Sequence, residues 1–586
     1  MRKKLQKYIH SFGILILILF SFSCANIVAP TGGPKDITPP KVKFCDPVNF
    51  SSNFKYHKIR ITFNEFILLE DQANQIVVSP PPKEEFDYIV RGKSIIINLP
   101  KVLKDTLTYT IYFGESIRDI TENNILSGLE YAFSTGSYID SLSIIGDVSD
   151  AYTLEPGKSV YVMLYRSLSD SVPLKQKPDY ITKTNAAGSF VLNNLASGHY
   201  KIIALSDLNS DFLYNQSNEA IAFDDSLATP FFIPRKLDST STKKDSLKIK
   251  KDSTIQQSTI TRIHLRLFTQ TDSVQKLLQA RSNKYGQFKL YFKYPVSNLS
   301  INIKNKKLEQ GWKLDEYSPN RDTLTCWLTN PVDIDTLKFT VSINGIVFDS
   351  VELALKQKMI STGQQKKPSG KGTLADDNAN KPVISYNAKS TGLFPFFLPL
   401  KIYVSNPVKY IDSSKIILSE KIDSSFKSIP FKVYMDESNL KHNFLINHSW
   451  TPKSKYQILV LPGAFKDIYG NENDSSKVNF TPNTVEDYGR LLFTLKSNNS
   501  QSPFVIQLLG ENKIVLSEKT VTRTEQIIFE NLAPGNYYIR IIKDLNNNGK
   551  WDSGDYFKKH QPEPVFSFPN MITIRANWDS DFEFTL

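Results

Sequence analysis

The segment DLNNNGKWDSGD, which opens at Asp544, sets oxygen-bearing side chains at alternate positions around a glycine. Asp544, Asn546, Asn548, Gly549, Asp552 and Asp555 stand at positions 1, 3, 5, 6, 9 and 12 of such a loop, and Lys550 offers its backbone carbonyl at position 7. A hard cation takes about six to eight oxygens, and residues turned inward around a glycine bend supply them, so the spacing predicts calcium as a ligand. Position 12 is an Asp, shorter than the usual bidentate Glu, and no helical pattern flanks the loop. The competing expectation is a polar turn closed by its own Asn and Asp side chains. A degenerate copy lies earlier in the chain. It keeps Asp207, Asn209 and Asp211, but Phe212 replaces the glycine, and Asn215 and Asn218 replace the later acids. Weak binding or none is expected there.

No other pattern carries a reaction. The seven histidines include no His-Glu-x-x-His pair, and the chain contains no Gly-x-Ser-x-Gly elbow. Glu84, Glu85 and Asp87 read as a charged turn before a strand, and Glu65 follows Phe63 by two residues and so falls on its core-facing side. Cys45 and Cys326 belong to no Cys-x-x-Cys or Cys/His cluster, so each is expected to be a small buried residue. No catalytic residue is assigned and the chain is expected not to be an enzyme. Trp312, Trp327, Trp450, Trp551 and Trp578 could stack on sugar rings, although Trp327, in TLTCWL, has the setting of a core residue.

The opening residues address the chain to a membrane. Arg2, Lys3, Lys4 and Lys7 precede an apolar run from Phe12 to Phe22, too short to span a bilayer, which needs about 20 apolar residues. This is the pattern of a signal peptide. Ser23-Cys24 adds a small residue before a cysteine, which predicts cleavage at 23 and lipidation of Cys24. Two or more acyl chains hold a protein on a membrane without a spanning helix. With Ala25 after the cysteine, the outer membrane is expected, its face undetermined. The formal net charge of +12 is spread partly over the leader and the linkers, so nucleic acid is not expected as a partner.

Such chemistry needs a scaffold, and the hydrophobic period that would build it is two. Ile59, Ile61 and Phe63 share one face opposite Lys58, Arg60 and Thr62; Leu107, Tyr109, Ile111 and Phe113 alternate with Thr108, Thr110 and Tyr112; Phe288, Leu290 and Phe292 repeat the pattern. The best helical candidate is VQKLLQARSN from Val274. An all-β chain of tandem antiparallel sandwiches follows. Residues 236–261 and 356–381 are poor in aromatics and rich in Ser, Thr, Lys, Asp and Gln, the composition of disordered linkers. An internal repeat orders the rest: NLASGHYKIIALSDLN from Asn194 aligns with NLAPGNYYIRIIKDLN from Asn531, with nine of sixteen positions identical. A fainter echo links the Tyr-led strands at Tyr109 and Tyr456, each running into a turn at Asp119 or Asp467.

DITPPKV from Asp36, the strand carrying FNEF at 63–66, and the turn after Asp119 resemble the bacterial Ig-like domain known from an S-layer protein. The repeated NLA-x-G-x-Y modules resemble prealbumin-like, carboxypeptidase-regulatory-like sandwiches, and CANIVAPTGGPKDITPP resembles the start of an uncharacterised lipoprotein family of the Bacteroidetes. With the leader and linkers read above, the expected division is a signal peptide at 1–23, a tether at 24–38, an Ig-like domain at 39–137 and a prealbumin-like sandwich at 138–235. After the first linker come a sandwich of unassigned type at 262–355, a divergent Ig-like domain at 382–483 and a second prealbumin-like sandwich at 484–586. The resemblance implies a fold and an envelope address but no reaction, because such sandwiches host many functions. With no catalytic motif in the chain, a structural, adhesive or binding role in the cell envelope is expected, with an envelope protein or a glycan as partner. A glycan-binding accessory lipoprotein of a polysaccharide-uptake system is the alternative, and an envelope-polymer hydrolase ranks behind both.

Overall fold

The computed structural model describes residues 35–233, 262–270, 274–330, 335–356, 381–389, 393–436, 442–497 and 502–586. Cys24 with its leader, and nearly all of 236–261 and 356–381, lie outside the described residues. The chain is all-β: strands dominate, and the α-helices among the described residues are the four-residue turns Gln72–Gln75 and Val172–Lys175. None is long and apolar enough to cross a membrane. Two compact units divide the chain, one holding residues 1–270 and 552–563, the other 271–551 and 564–586.

In the first unit, the strands Val42–Asp46, Lys58–Phe63, Ser94–Asn98 and Asp87–Arg91 pair in that order, and Glu130–Ser134, Thr108–Tyr112 and Val77–Ser79 form a second sheet. The alternation read from sequence buries Ile59, Ile61 and Phe63, which share a core with Tyr109, Ile111 and Phe133. Thr108–Tyr112 departs from a half-buried strand, because both of its faces are covered. The next sandwich covers the second face: Asn194 Nδ2 donates to Thr110 Oγ1 at 2.8 Å, and Asn193 N–H to the Tyr112 hydroxyl at 2.9 Å.

That next sandwich holds a strand expected elsewhere. Ile263–Thr269 pairs in parallel with Leu142–Asp150 and antiparallel with Ala220–Phe223. Leu265 and Leu267 join the core of Val162, Leu164, Ile202 and Ala204. A module boundary at 262 therefore cuts the second sandwich; the third begins beyond 270. Residues 552–563 also belong with this unit rather than with the last module. There Tyr556 is buried, its ring edge-on to Phe223 at 5.4 Å, and its hydroxyl donates to the Asp170 carbonyl at 2.9 Å.

The second unit begins with Leu277–Lys284, a strand and not the helix expected from Val274. Its pairing with Gln287–Phe292 across Tyr285 and Gly286 (φ 71°) makes a tight hairpin, and this tertiary pairing overrides the local helical pattern. Phe288, Leu290 and Phe292 point into a core with Cys326 and Phe339. The following module gathers Leu400, Ile402, Trp450, Tyr456, Ile458 and Phe480. In the last module Gly489–Lys496 pairs with Glu525–Leu532 and, in parallel, with Asp579–Thr585, over a core of Leu491, Phe493, Ile506 and Ile541.

Both sequence repeats reappear as geometry. The Tyr200 and Tyr537 hydroxyls donate to the carbonyls four residues back, Ala196 at 2.9 Å and Ala533 at 2.7 Å. Asn194 and Asn531, which open the two copies, share a left-handed backbone, φ 59° and 54°. The fainter echo holds as well: the Tyr109 and Tyr456 hydroxyls each accept an N–H from five residues back, Lys104 and Thr451, both at 3.0 Å. A tyrosine tied to the backbone upstream is a device that fixes sandwich corners.

Candidate functional site

The two Asp/Asn loops follow the paired tyrosine strands Lys201–Ser206 and Gly535–Lys543. In the first, Asp207 accepts N–H groups from Asn209 at 3.1 Å, Ser210 at 2.7 Å and Phe212 at 2.8 Å. Asp211 takes the Leu213 N–H at 2.8 Å and the side-chain amides of Asn209 and Asn215. The loop is closed by a residue that the spacing argument passed over. Glu219 is fully buried, and its carboxylate accepts N–H groups from Asn215 and Gln216, both at 3.0 Å. Phe212 keeps the left-handed backbone (φ 63°) that suits the glycine it replaces, its ring set edge-on against Tyr161 at 5.1 Å.

In the second loop Asp544 is buried and accepts from Asn548 at 3.2 Å and from Gly549 (φ 75°) at 2.7 Å. Asn546 accepts from Asn548 at 3.1 Å, and Asn548 from Lys550 at 2.8 Å. Of the expected ligands, Asp544, Asn546, Asn548 and Lys550 lie in one compact unit, Asp552 and Asp555 in the other. Asp552 donates its N–H to Glu563 at 3.1 Å, as Asn215 does to Glu219, so Glu563 is the counterpart of Glu219. Asp555, placed by sequence at position 12, instead accepts from Gln270 Nε2 at 3.0 Å and pairs with Lys558 at 3.1 Å. Among the described residues no three His, Cys, Asp or Glu side chains are gathered as a metal site.

At the start of the first sandwich the motif residues tie the entering chain to the fold. Asp36 accepts the Thr38 N–H at 2.9 Å, Asn124 Nδ2 donates to the Asp36 carbonyl at 3.1 Å, and Asn64 Oδ1 takes the Lys41 N–H at 2.6 Å. Asp119 accepts N–H groups from Glu122, Asn123 and Asn124. Burial opposes its ionisation, yet these bonds outweigh it and hold the carboxyl below the ordinary Asp range. Glu122 is pushed the other way by burial and by Asp119, Asp36 and Glu65. One Glu65 oxygen is buried without a hydrogen-bond partner.

Residues 36–135 match the bacterial Ig-like domain family. The match spans the Asp36 hook, the FNEF strand end and the Asp119 turn, the features that close this Ig-like module. No curated protein matches the sequence. Among solved structures, a fragment of Escherichia coli alpha-2-macroglobulin spanning domains MG0-NIE-MG1 overlaps 46% of this chain and 94% of its own, at 11% identity and a TM-score of 0.17. Domains 1–6 of the surface layer protein SbsC overlap 87% of this chain and 66% of theirs, at 10% identity and a TM-score of 0.13. The T6 backbone pilin of Streptococcus pyogenes overlaps 73% and 79%, at 9% and 0.12.

The Ig-like module makes a pH prediction. A depressed folded pKa gives Asp119 a stabilising contribution that is present above the unfolded Asp value, about 3.9, and is lost as pH falls through the lower folded value. Asp119→Asn is expected to lower the melting temperature of residues 36–135 at pH 7 and to flatten its fall between pH 5 and 2. An unaltered acid profile would dismiss this role.

Of the described cysteines, Cys326 is buried as expected, whereas Cys45 is only half-buried. Cys326 is buried in the third core, where desolvation first and Asp315 second push its thiol up, and burial raises Cys45 to about 11. Of the tryptophans, Trp327 and Trp450 are core residues, Trp312 and Trp551 are half-buried, and Trp578 is exposed.

Proposed function

We propose that the chain is a lipid-anchored cell-envelope protein whose β-sandwich modules serve a structural, adhesive or binding role. The observation that supports this most is the series of hydrophobic cores, five of them among the described residues, each built from its own stretch of sheet. Their Asp/Asn loops are tied into turns by side-chain hydrogen bonds. Repeated sandwiches space and present surfaces, and they host many functions. Cys24 would carry the lipid, in the outer membrane, as in the Bacteroidetes lipoproteins that the opening residues resemble. Detergent partitioning of the full-length chain tests the anchor. Wild type is expected in the detergent phase with membrane proteins and Cys24→Ala in the aqueous phase; equal partitioning would refute lipidation.

A second reading, a glycan-binding accessory lipoprotein, is favoured by the exposure of Trp578. Calcium at Asp544, Asn546, Asn548 and the Lys550 carbonyl is proposed on their all-oxygen chemistry, since a carboxylate that accepts N–H bonds keeps lone pairs for a cation. Added calcium is then expected to raise the melting temperature by mass action. An unchanged value, with no calcium heat in calorimetry, would leave a turn held by hydrogen bonds alone.

A further inference from the structure

The last module contains a cleft of about 740 Å³ whose walls include Tyr488, Arg490, Glu530, Asn577, Trp578 and Asp579. Trp578 stands there with 63% of its surface exposed. Its backbone is pinned. Arg490 N–H donates to the Trp578 carbonyl at 3.1 Å, and Asn577 N–H to the Tyr488 carbonyl at 2.9 Å. Between these two bonds lies Gly489, where a Cβ would stand 2.4 Å from the Arg575 carbonyl oxygen and 3.0 Å from that of Trp578. Only glycine permits that approach, so the tryptophan is carried by a turn whose backbone is held at both ends.

Tyr488 is half-buried beside it, edge-on to Phe397 at 5.4 Å, and desolvation first and Asp487 second raise its phenol. Polar groups surround the two rings. Arg490 Nε donates to Asp579 at 2.8 Å in a two-pronged pair that joins neighbouring parallel strands, and Glu530 acts electrostatically on the same guanidinium. The charges lining the cleft are one cation, Arg490, and two anions, Glu530 and Asp579, which disfavours a sulfated or uronate polymer. A flat apolar ring edged by carboxylates and amides suits a ligand with a C–H face and a rim of hydroxyls.

We propose that this cleft binds a neutral pyranose glycan, with Trp578 as the stacking platform; the assignment rests on the glycan-binding reading above. Full-length chain in non-ionic detergent, applied to an array of neutral glucans, mannans and galactans beside uronate and sulfated glycans, tests it. Wild type is expected to bind a neutral member, Trp578→Ala to bind about tenfold more weakly or worse with an unchanged melting temperature, and Trp578→Phe to retain part of the affinity. Wild-type affinity in Trp578→Ala would overturn the cleft while leaving glycan binding standing. Binding confined to acidic glycans would overturn the neutral assignment, and no binding by wild type would remove both the cleft and the reading beneath it.

Discussion

Gly146→Ala is expected to destabilise the second sandwich by about 3 kcal/mol, the upper range for overpacking a tight core. A Cβ at Gly146 would stand 2.2 Å from the Ile263 carbonyl oxygen and 2.6 Å from the Phe190 ring. One contact is with backbone, which cannot swing aside as a flexible side chain can. Gly146 pairs with Ile263 in the parallel ladder, so the added methyl wedges apart Leu142–Asp150 and Ile263–Thr269. Amide exchange at 263–269 should accelerate together with a fall in the urea midpoint. A near-neutral effect would show that these strands are not neighbours in solution.

Asp467→Ala is expected to cost about 3 kcal/mol or more. Asp467 is fully buried and accepts N–H groups from Tyr469 at 2.9 Å and Asn471 at 2.8 Å, with Asn406 Nδ2 at 2.6 Å on its other oxygen. Removing the carboxylate strands these donors, each at about 1–3 kcal/mol. The damage should reach the preceding module, because Tyr469 donates its hydroxyl to the Gly286 carbonyl at 2.8 Å and Lys284 bonds Asn406. Urea unfolding of residues 271–497 provides the measurement; a loss within about 0.5 kcal/mol, as at an ordinary surface site, would contradict it.

Much of the fold was legible because alternation is a local signal. Ile59, Ile61 and Phe63 announce their face within six residues, and the Tyr200 and Tyr537 repeats carry their corner bonds with them. The strand Ile263–Thr269 was not legible: its partners at 142–150 and 220–223 lie across the first linker, and no short window contains such a pairing. Glu219 and Glu563 escaped for a related reason. Glu219 stands twelve residues after Asp207 but Glu563 nineteen after Asp544, so a fixed spacing found Asp555 in place of Glu563. Trp578 could be listed among five tryptophans, but its exposure comes from the turn beside Gly489, which sequence pattern does not reveal.

The excursion at 552–563 sets the timetable on which the second sandwich is completed. Ser553 donates to the Thr269 carbonyl at 2.8 Å, Gln561 to the Phe223 carbonyl at 3.1 Å, and Gly554 lies against the Phe268 ring. These hydrogen bonds join residues 284 and 338 positions apart. A chain emerges N-terminus first at about 5–20 residues per second, so the surface around Phe223 and Phe268 waits on the order of half a minute for its cover. During that interval the growing chain presents an uncapped aromatic face, and a translation product halted before 552 would present it permanently. The second sandwich is begun early in synthesis and finished almost last.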